Sequence, residues 1–128
     1  MKKIIKTPDA PAPIGPYNQA VQAGNTLYVS GQIALDPATG ELLRGSIEEE
    51  THLVMKNLRA VLGAAGADFS HVVKSSIFVK DMGQFAQINE VYGGYFDAAS
   101  APARETVEVA NLPKYVNVEI SVIAVLDA

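Results

Sequence analysis

The stretch that most constrains this chain runs from Pro102 to Val125. From Arg104 the residues alternate, with Arg104, Thr106, Glu108 and Ala110 on one strand face and Val107 and Val109 on the other. After a short turn, Asn117 to Val125 forms a second strand, half polar at its start and apolar on both faces at its end. Read as a tight hairpin around residues 112–115, the pair sets Glu108 opposite Glu119 and Arg104 opposite Ile123. Arg104 and Glu119 then stand about four residues apart along the ladder, on the order of 13 Å. A small ligand touching both needs long side chains, a bulged register or a partner subunit.

The rest of the chain supplies the elements around that pair. Residues 2–6 read as a short edge strand whose lysines discourage edge pairing. Residues 7–16 hold four prolines, Pro8, Pro11, Pro13 and Pro16, which excludes helix and central strand and leaves a stiff extended loop. Tyr17 follows, either as a wall of a site or as packing for the next strand. Residues 17–21 and 26–33 read as strands joined at Ala23-Gly24-Asn25. Ser30-Gly31 inside the second strand marks a bulge or a close backbone approach.

Ser46 and Glu49 match a capping box, and Glu48, Glu49 and Glu50 fall in the first turn of a helix ending at Gly66. Its apolar stripe is Ile47, Val54, Leu58, Val61, Leu62 and Ala65, with Glu50, Asn57 and Arg59 off it and the glutamates read as a solvated start. Residues 72–80 form an apolar strand. Residues 82–97 form a second helix with Phe85, Ile88, Tyr92, Tyr95 and Phe96 inward, where Gly93-Gly94 costs roughly 1 kcal/mol each unless a neighbour packs closely. The order β-β-β-α-β-α-β-β predicts an α+β domain over 1–128: a mixed sheet with two helices on one face and an open, partly apolar face. Such a face is usually buried by self-association.

Composition narrows the function classes. The net charge of -4 and a pI near 5.0 give no basic footprint for nucleic acid. Without cysteine there is no disulfide, thiolate metal site or thiol nucleophile. His52 and His71 sit in different elements, so no metal site is expected within one subunit. No run approaches the roughly 20 apolar residues of a membrane helix, and the N-terminus lacks a signal-peptide core. A cytoplasmic protein is the resulting expectation.

Arg104 is one of three arginines and the only one in a strand. Its planar fork suits a carboxylate bidentately; an ion pair with Glu108 or Glu119 is the other reading. Glu119 lies at the edge of a buried zone, where partial burial raises a carboxyl pKa and suits it to proton transfer or to holding water. A solvated strand-face glutamate is the alternative. The sequence has no catalytic triad, phosphate loop or metal motif.

Ile14-Gly15-Pro16-Tyr17, Ser30-Gly31-Gln32, Val79-Lys80-Asp81, Pro102-Ala103-Arg104, Val107-Glu108-Val109, Leu112-Pro113-Lys114 and Val118-Glu119-Ile120 together resemble the Rid (YjgF, reactive intermediate deaminase) family over nearly the whole chain. The resemblance implies a chorismate-mutase-like fold in a homotrimer, with helices outside and clefts between subunits. It implies that Arg104 binds a substrate carboxylate and Glu119 positions water. It also implies that Tyr17, Ser30, Gly31, Asn89 and Thr106 line or adjoin the cleft. The implied reaction is cofactor-free: 2-aminoacrylate or 2-aminocrotonate, through their imines, give 2-oxo acids and ammonia. Thr106 stands where well-known members carry cysteine, so no thiol is essential. Ala101 and Glu105 also depart from common residues and are expected to alter the cleft. The alternatives are a non-catalytic 2-oxo-acid binder or chaperone-like trimer, and a ribonuclease, against which the acidic pI weighs. Chorismate mutase chemistry would call for more cations.

Overall fold

A computed structural model describes residues 1–127. The strands are β1 (Lys2–Ile5), β2 (Ala20–Ala23), β3 (Thr26–Gln32), β4 (Val72–Val79), β5 (Ala103–Glu108) and β6 (Val118–Val125). The α-helices are α1 (Ile47–Ala64) and α2 (Phe85–Gly93). All six strands share one mixed sheet in the order β1-β2-β3-β6-β4-β5. β1 is an edge strand, as its lysines suggested. The register of β3 on β6 shifts between Val29 and Gln32, so the Ser30-Gly31 bulge is present.

One expectation fails in a way that matters. β5 and β6 are not a hairpin. β5 runs parallel to β4 at the sheet edge, and β6 is inserted between β3 and β4, antiparallel to both. The connection crosses over through Leu112, Pro113 and two non-glycine residues in left-handed backbone, Lys114 (φ 54°) and Tyr115 (φ 57°). Glu119 therefore stands beside Phe78, not Glu108, and Arg104 beside Ser75, not Ile123.

Both helices cover one face, where Leu27, Val54, Met55, Leu58, Val61, Leu62, Ile77, Val79, Val118 and Ile120 are wholly buried. α1 starts as its sequence dictates: Ser46 Oγ accepts from Glu49 N–H (3.1 Å) and Glu49 Oε1 accepts from Ser46 N–H (3.0 Å). Glu50 and Asn57, however, lie in the buried stripe, not off it. Glu50 accepts from the Asn117 backbone N–H (2.9 Å) and from Asn117 Nδ2 (2.8 Å), which ties the start of β6 to α1. Asn57 Nδ2 donates to the Ile33 and Leu35 carbonyls, both at 3.0 Å, so the loop after β3 is held from the same helix. A buried polar side chain needs such partners to be tolerated.

The second helix is shorter than the aromatic stripe suggested. Residues 82–84 form a single 3-10 turn and α2 ends at Gly93. A Cβ at Gly93 would meet nothing within 4 Å, and one at Gly94 would meet only the Val91 and Glu90 carbonyls of the preceding turn. These glycines finish a helix; they do not admit a neighbouring element. Tyr17 lies outside β2, in the loop before it.

Candidate functional site

The cross-strand register decides which face each candidate residue occupies. Paired residues share a face, and alternate residues along a strand share it too. Ser75, the partner of Arg104, is wholly buried under the helices with Ile77 and Val79. Arg104 accordingly belongs to the helix-covered side. Phe78, the partner of Glu119, belongs to the open face with Ser76 and Lys74. Arg104 and Glu119 thus project to opposite sides of the sheet, two strands and three residues apart, with Cα atoms separated by roughly 14 Å.

On its side, Arg104 rests against α2. Its Nη1 donates to Asn89 Oδ1 (2.6 Å), and the guanidinium lies 5.5 Å from the Phe85 ring centroid and 5.3 Å from that of Tyr92. Both aromatic contacts fall within the roughly 6 Å reach of cation–π attraction. Tyr92 is itself fixed, because its hydroxyl donates to the buried Ser75 Oγ (2.8 Å). Burial pushes the Tyr92 hydroxyl pKa up, against that hydrogen bond and the Arg104 charge, so the phenol stays neutral. Arg104 has no carboxylate partner among the described residues: the ion pairs join His71 to Asp68 and Asp127, and Lys74 to Glu105. Of the two sequence readings, the intrasubunit ion pair with Glu108 or Glu119 is therefore excluded. The guanidinium keeps donors for an outside anion.

Thr106 sits one register step further on the same face, half-buried, with its hydroxyl oxygen buried and unpartnered. Val109 N–H donates to Val79 O (2.9 Å). Alternation then directs the backbone groups of Arg104, Thr106 and Glu108 away from β4, to the free edge of β5. Glu105 does not border Arg104. It points to the open face, where it binds Lys74 Nζ (2.9 Å) and accepts from Ser76 Oγ. Those contacts, the serine first, hold its pKa below the usual carboxylate value.

Glu119, half-buried, lies over the bulge of β3. A Cβ built on Gly31 would stand 2.5 Å from Glu119 Oε2 and 2.8 Å from its Cδ. Only glycine lets the carboxyl lie this close to the backbone. Burial raises the Glu119 pKa from the ordinary glutamate value. Ser30 is committed to the scaffold: its hydroxyl donates to Asn18 O (2.6 Å) and its N–H to Gln19 O (2.9 Å). Tyr17 is half exposed at the end of the proline loop, its hydroxyl accepting from Ile14 N–H at 3.5 Å. So Tyr17, Ser30, Gly31 and Glu119 gather at one end of the sheet, and Asn89, Arg104 and Thr106 gather at its β5 edge on the other side.

Gln19 is a contributor that the sequence reading passed over. Buried at 3% exposure, it accepts from Thr7 N–H (2.7 Å) and donates to the carbonyls of Thr7, Ala10 and Pro11 at 3.0, 3.1 and 2.9 Å. It latches the proline loop that carries Tyr17. The available signal was a pair of amides, Asn18 and Gln19, directly before the apolar start of β2.

Residues 7–126 match the model of the family described as endoribonuclease L-PSP. That is the YjgF/Rid family, and this chain belongs to it. A RutC family protein of Synechocystis is 54% identical over 97% of this chain and 96% of its own length. The 2-iminobutanoate/2-iminopropanoate deaminase of Mus musculus is 49% identical over 98% of this chain and 92% of its own. The crystal structure of E. coli TdcF with bound serine superposes with a TM-score of 0.91 at 42% identity, covering 98% of this chain and 99% of that one. The Rid expectation raised by the motifs therefore holds for family and fold. Among the described residues no helix is long and apolar enough to cross a membrane.

Proposed function

We propose that this protein is a cofactor-free 2-iminobutanoate/2-iminopropanoate deaminase, working in the cytoplasm as a homotrimer with its sites in clefts between copies. The observation that carries the reading is Arg104, a guanidinium fixed by Asn89 and two aromatic rings yet left without a carboxylate partner among the described residues. Its family relatives in Mus musculus, Bos taurus and Rattus norvegicus bear the name of this activity. The serine bound by TdcF, like a 2-imino acid, carries a carboxylate beside a nitrogen-bearing carbon.

The placement of the two key residues favours a shared site. Arg104 and Glu119 of one copy face opposite ways, so one small ligand reaches both only if they come from different copies. The open sheet face also exposes Ile4, Tyr28, Val107 and Val125, each between 37% and 50%, which favours burial against a second copy.

In this arrangement one copy's Arg104 holds the imino-acid carboxylate bidentately, and Thr106 adds a backbone contact at the free edge of β5. Tyr17 and Gly31 of another copy bound the reacting carbon, and Ser30 holds that wall in place. Glu119 takes a proton from water as the water oxygen adds to the imine carbon. The C=N electron pair moves to nitrogen, which takes up a proton. The C–N bond of the resulting carbinolamine breaks, ammonia leaves, and loss of the hydroxyl proton gives the 2-oxo acid. Imine and water thus yield 2-oxo acid and ammonia, with no redox change. The raised pKa of Glu119 brings it nearer to working pH and makes it a better base than an exposed glutamate.

The test is to generate 2-aminoacrylate with a serine dehydratase and follow imine decay with and without the protein. Acceleration is expected, with a loss of at least about tenfold in Arg104→Ala, as for one charge-assisted hydrogen bond. Carboxylate binding without turnover would select the non-catalytic binder instead.

A further inference from the structure

The latched proline loop is a fixed wall. Between it and the end of β3 lies a half-open cavity of about 370 Å³, within the roughly 300–1,000 Å³ of small-molecule sites. Pro11, Ala12, Ile14, Ile33 and Leu35 make its walls mainly apolar, and Tyr17 and Gly31, the glycine against which Glu119 lies, complete the lining. The two amides that border it are occupied, Gln19 by the proline loop and Gln32 Nε2 by the Ser30 carbonyl (3.3 Å). Lys114 at its rim is the one cation in the lining. The hollow is far larger than a methyl or ethyl group requires.

We infer that this cavity is a side-chain subsite, and that the protein prefers 2-imino acids bearing a larger apolar side chain, aliphatic, thioether or aryl, over the three- and four-carbon imines. The inference rests on the deaminase reading. With the carboxylate on a partner copy's Arg104 and the reacting carbon between Gly31 and Glu119, the substituent at that carbon continues past Tyr17 into the apolar hollow. Each methylene withdrawn from water there raises kcat/KM about fourfold.

An L-amino-acid oxidase with catalase supplies the imines of alanine and leucine, whose decay is followed by trapping as semicarbazones in the presence of the full chain. The leucine-derived imine is expected to give a kcat/KM at least about tenfold above that of the alanine-derived imine, given its three extra carbons. Ala12→Phe, on the exposed loop, and Ile33→Phe, on the opposite wall, are each expected to lower that ratio at least about fivefold, one methylene's worth or slightly more. A wild-type ratio near one overturns the inference and leaves the deaminase reading standing. So does an equal loss on both imines in folded samples of both variants. Absence of acceleration for either imine overturns both.

Discussion

Arg104 and Glu119 stand on opposite faces of one sheet, because Arg104 pairs with the buried Ser75 and Glu119 with Phe78 on the open side. Within a copy the two side chains diverge, and any chemistry using both draws on two copies. A cleft shared between copies, as proposed, would follow from strand register.

The seat of Arg104 can be loosened without touching the guanidinium. Asn89→Ala removes the 2.6 Å hydrogen bond and leaves the rings in place. KM for the alanine-derived imine is expected to rise about tenfold, the order of one hydrogen bond to a charged group, with kcat little changed. Tyr92→Phe loses the bond to Ser75 and is expected to cost about 1 kcal/mol of stability in a denaturant titration, with a smaller rise in KM.

Gly31 is needed for the position of Glu119. In Gly31→Ala the new methyl would stand 2.5 Å from Glu119 Oε2, so the carboxyl must swing away. Steady-state kinetics should show kcat falling at least about tenfold, in line with the loss of a positioned general base. An unchanged kcat would mean that Glu119 is not the group that handles water.

The raised pKa of Glu119 fixes the sign of the pH response. As a base it works deprotonated, so kcat/KM is expected to rise with pH through an acid limb lying above the ordinary glutamate value of 4.5. Glu119→Gln should erase that limb. Its effect on stability runs the other way. The folded state holds its proton more tightly than the unfolded chain, so stability falls as pH rises from the ordinary value through the raised one. Denaturant midpoints of wild type and Glu119→Gln across that window measure it.

Glu50 reaches the site indirectly, by holding the backbone of Asn117 two residues before Glu119. Glu50→Ala removes both carboxylate hydrogen bonds to Asn117 and is expected to destabilise the fold by about 1–3 kcal/mol, read as a lowered denaturant midpoint.

Much of this was written in the sequence. Four prolines dictated the loop, Ser46 and Glu49 the helix start and Ser30-Gly31 the bulge, while Arg104 was left as either a carboxylate receptor or half of an ion pair. The hairpin reading of β5 and β6 failed because period-two alternation gives a strand's faces but not its partner. The partner was set by α2, which lies between β4 and β5 in the chain and makes them a parallel βαβ unit. Glu50 and Asn57 were placed off the stripe of α1 because they are polar, although their spacing from Ile47 and Val54 put them on it. Their partners, Asn117 and the carbonyls of Ile33 and Leu35, are far away in the sequence and invisible to a local pattern.

The most direct test of the shared site is complementation. Arg104→Ala and Glu119→Gln proteins, each strongly weakened alone, are mixed in equal amounts, unfolded, refolded together and assayed on 2-aminoacrylate. If Arg104 and Glu119 of one site come from different copies, random assembly should return about a quarter of wild-type activity. Activity that stays at the level of the separate variants, in refolded oligomers shown to contain both chains, would contradict a site built between copies.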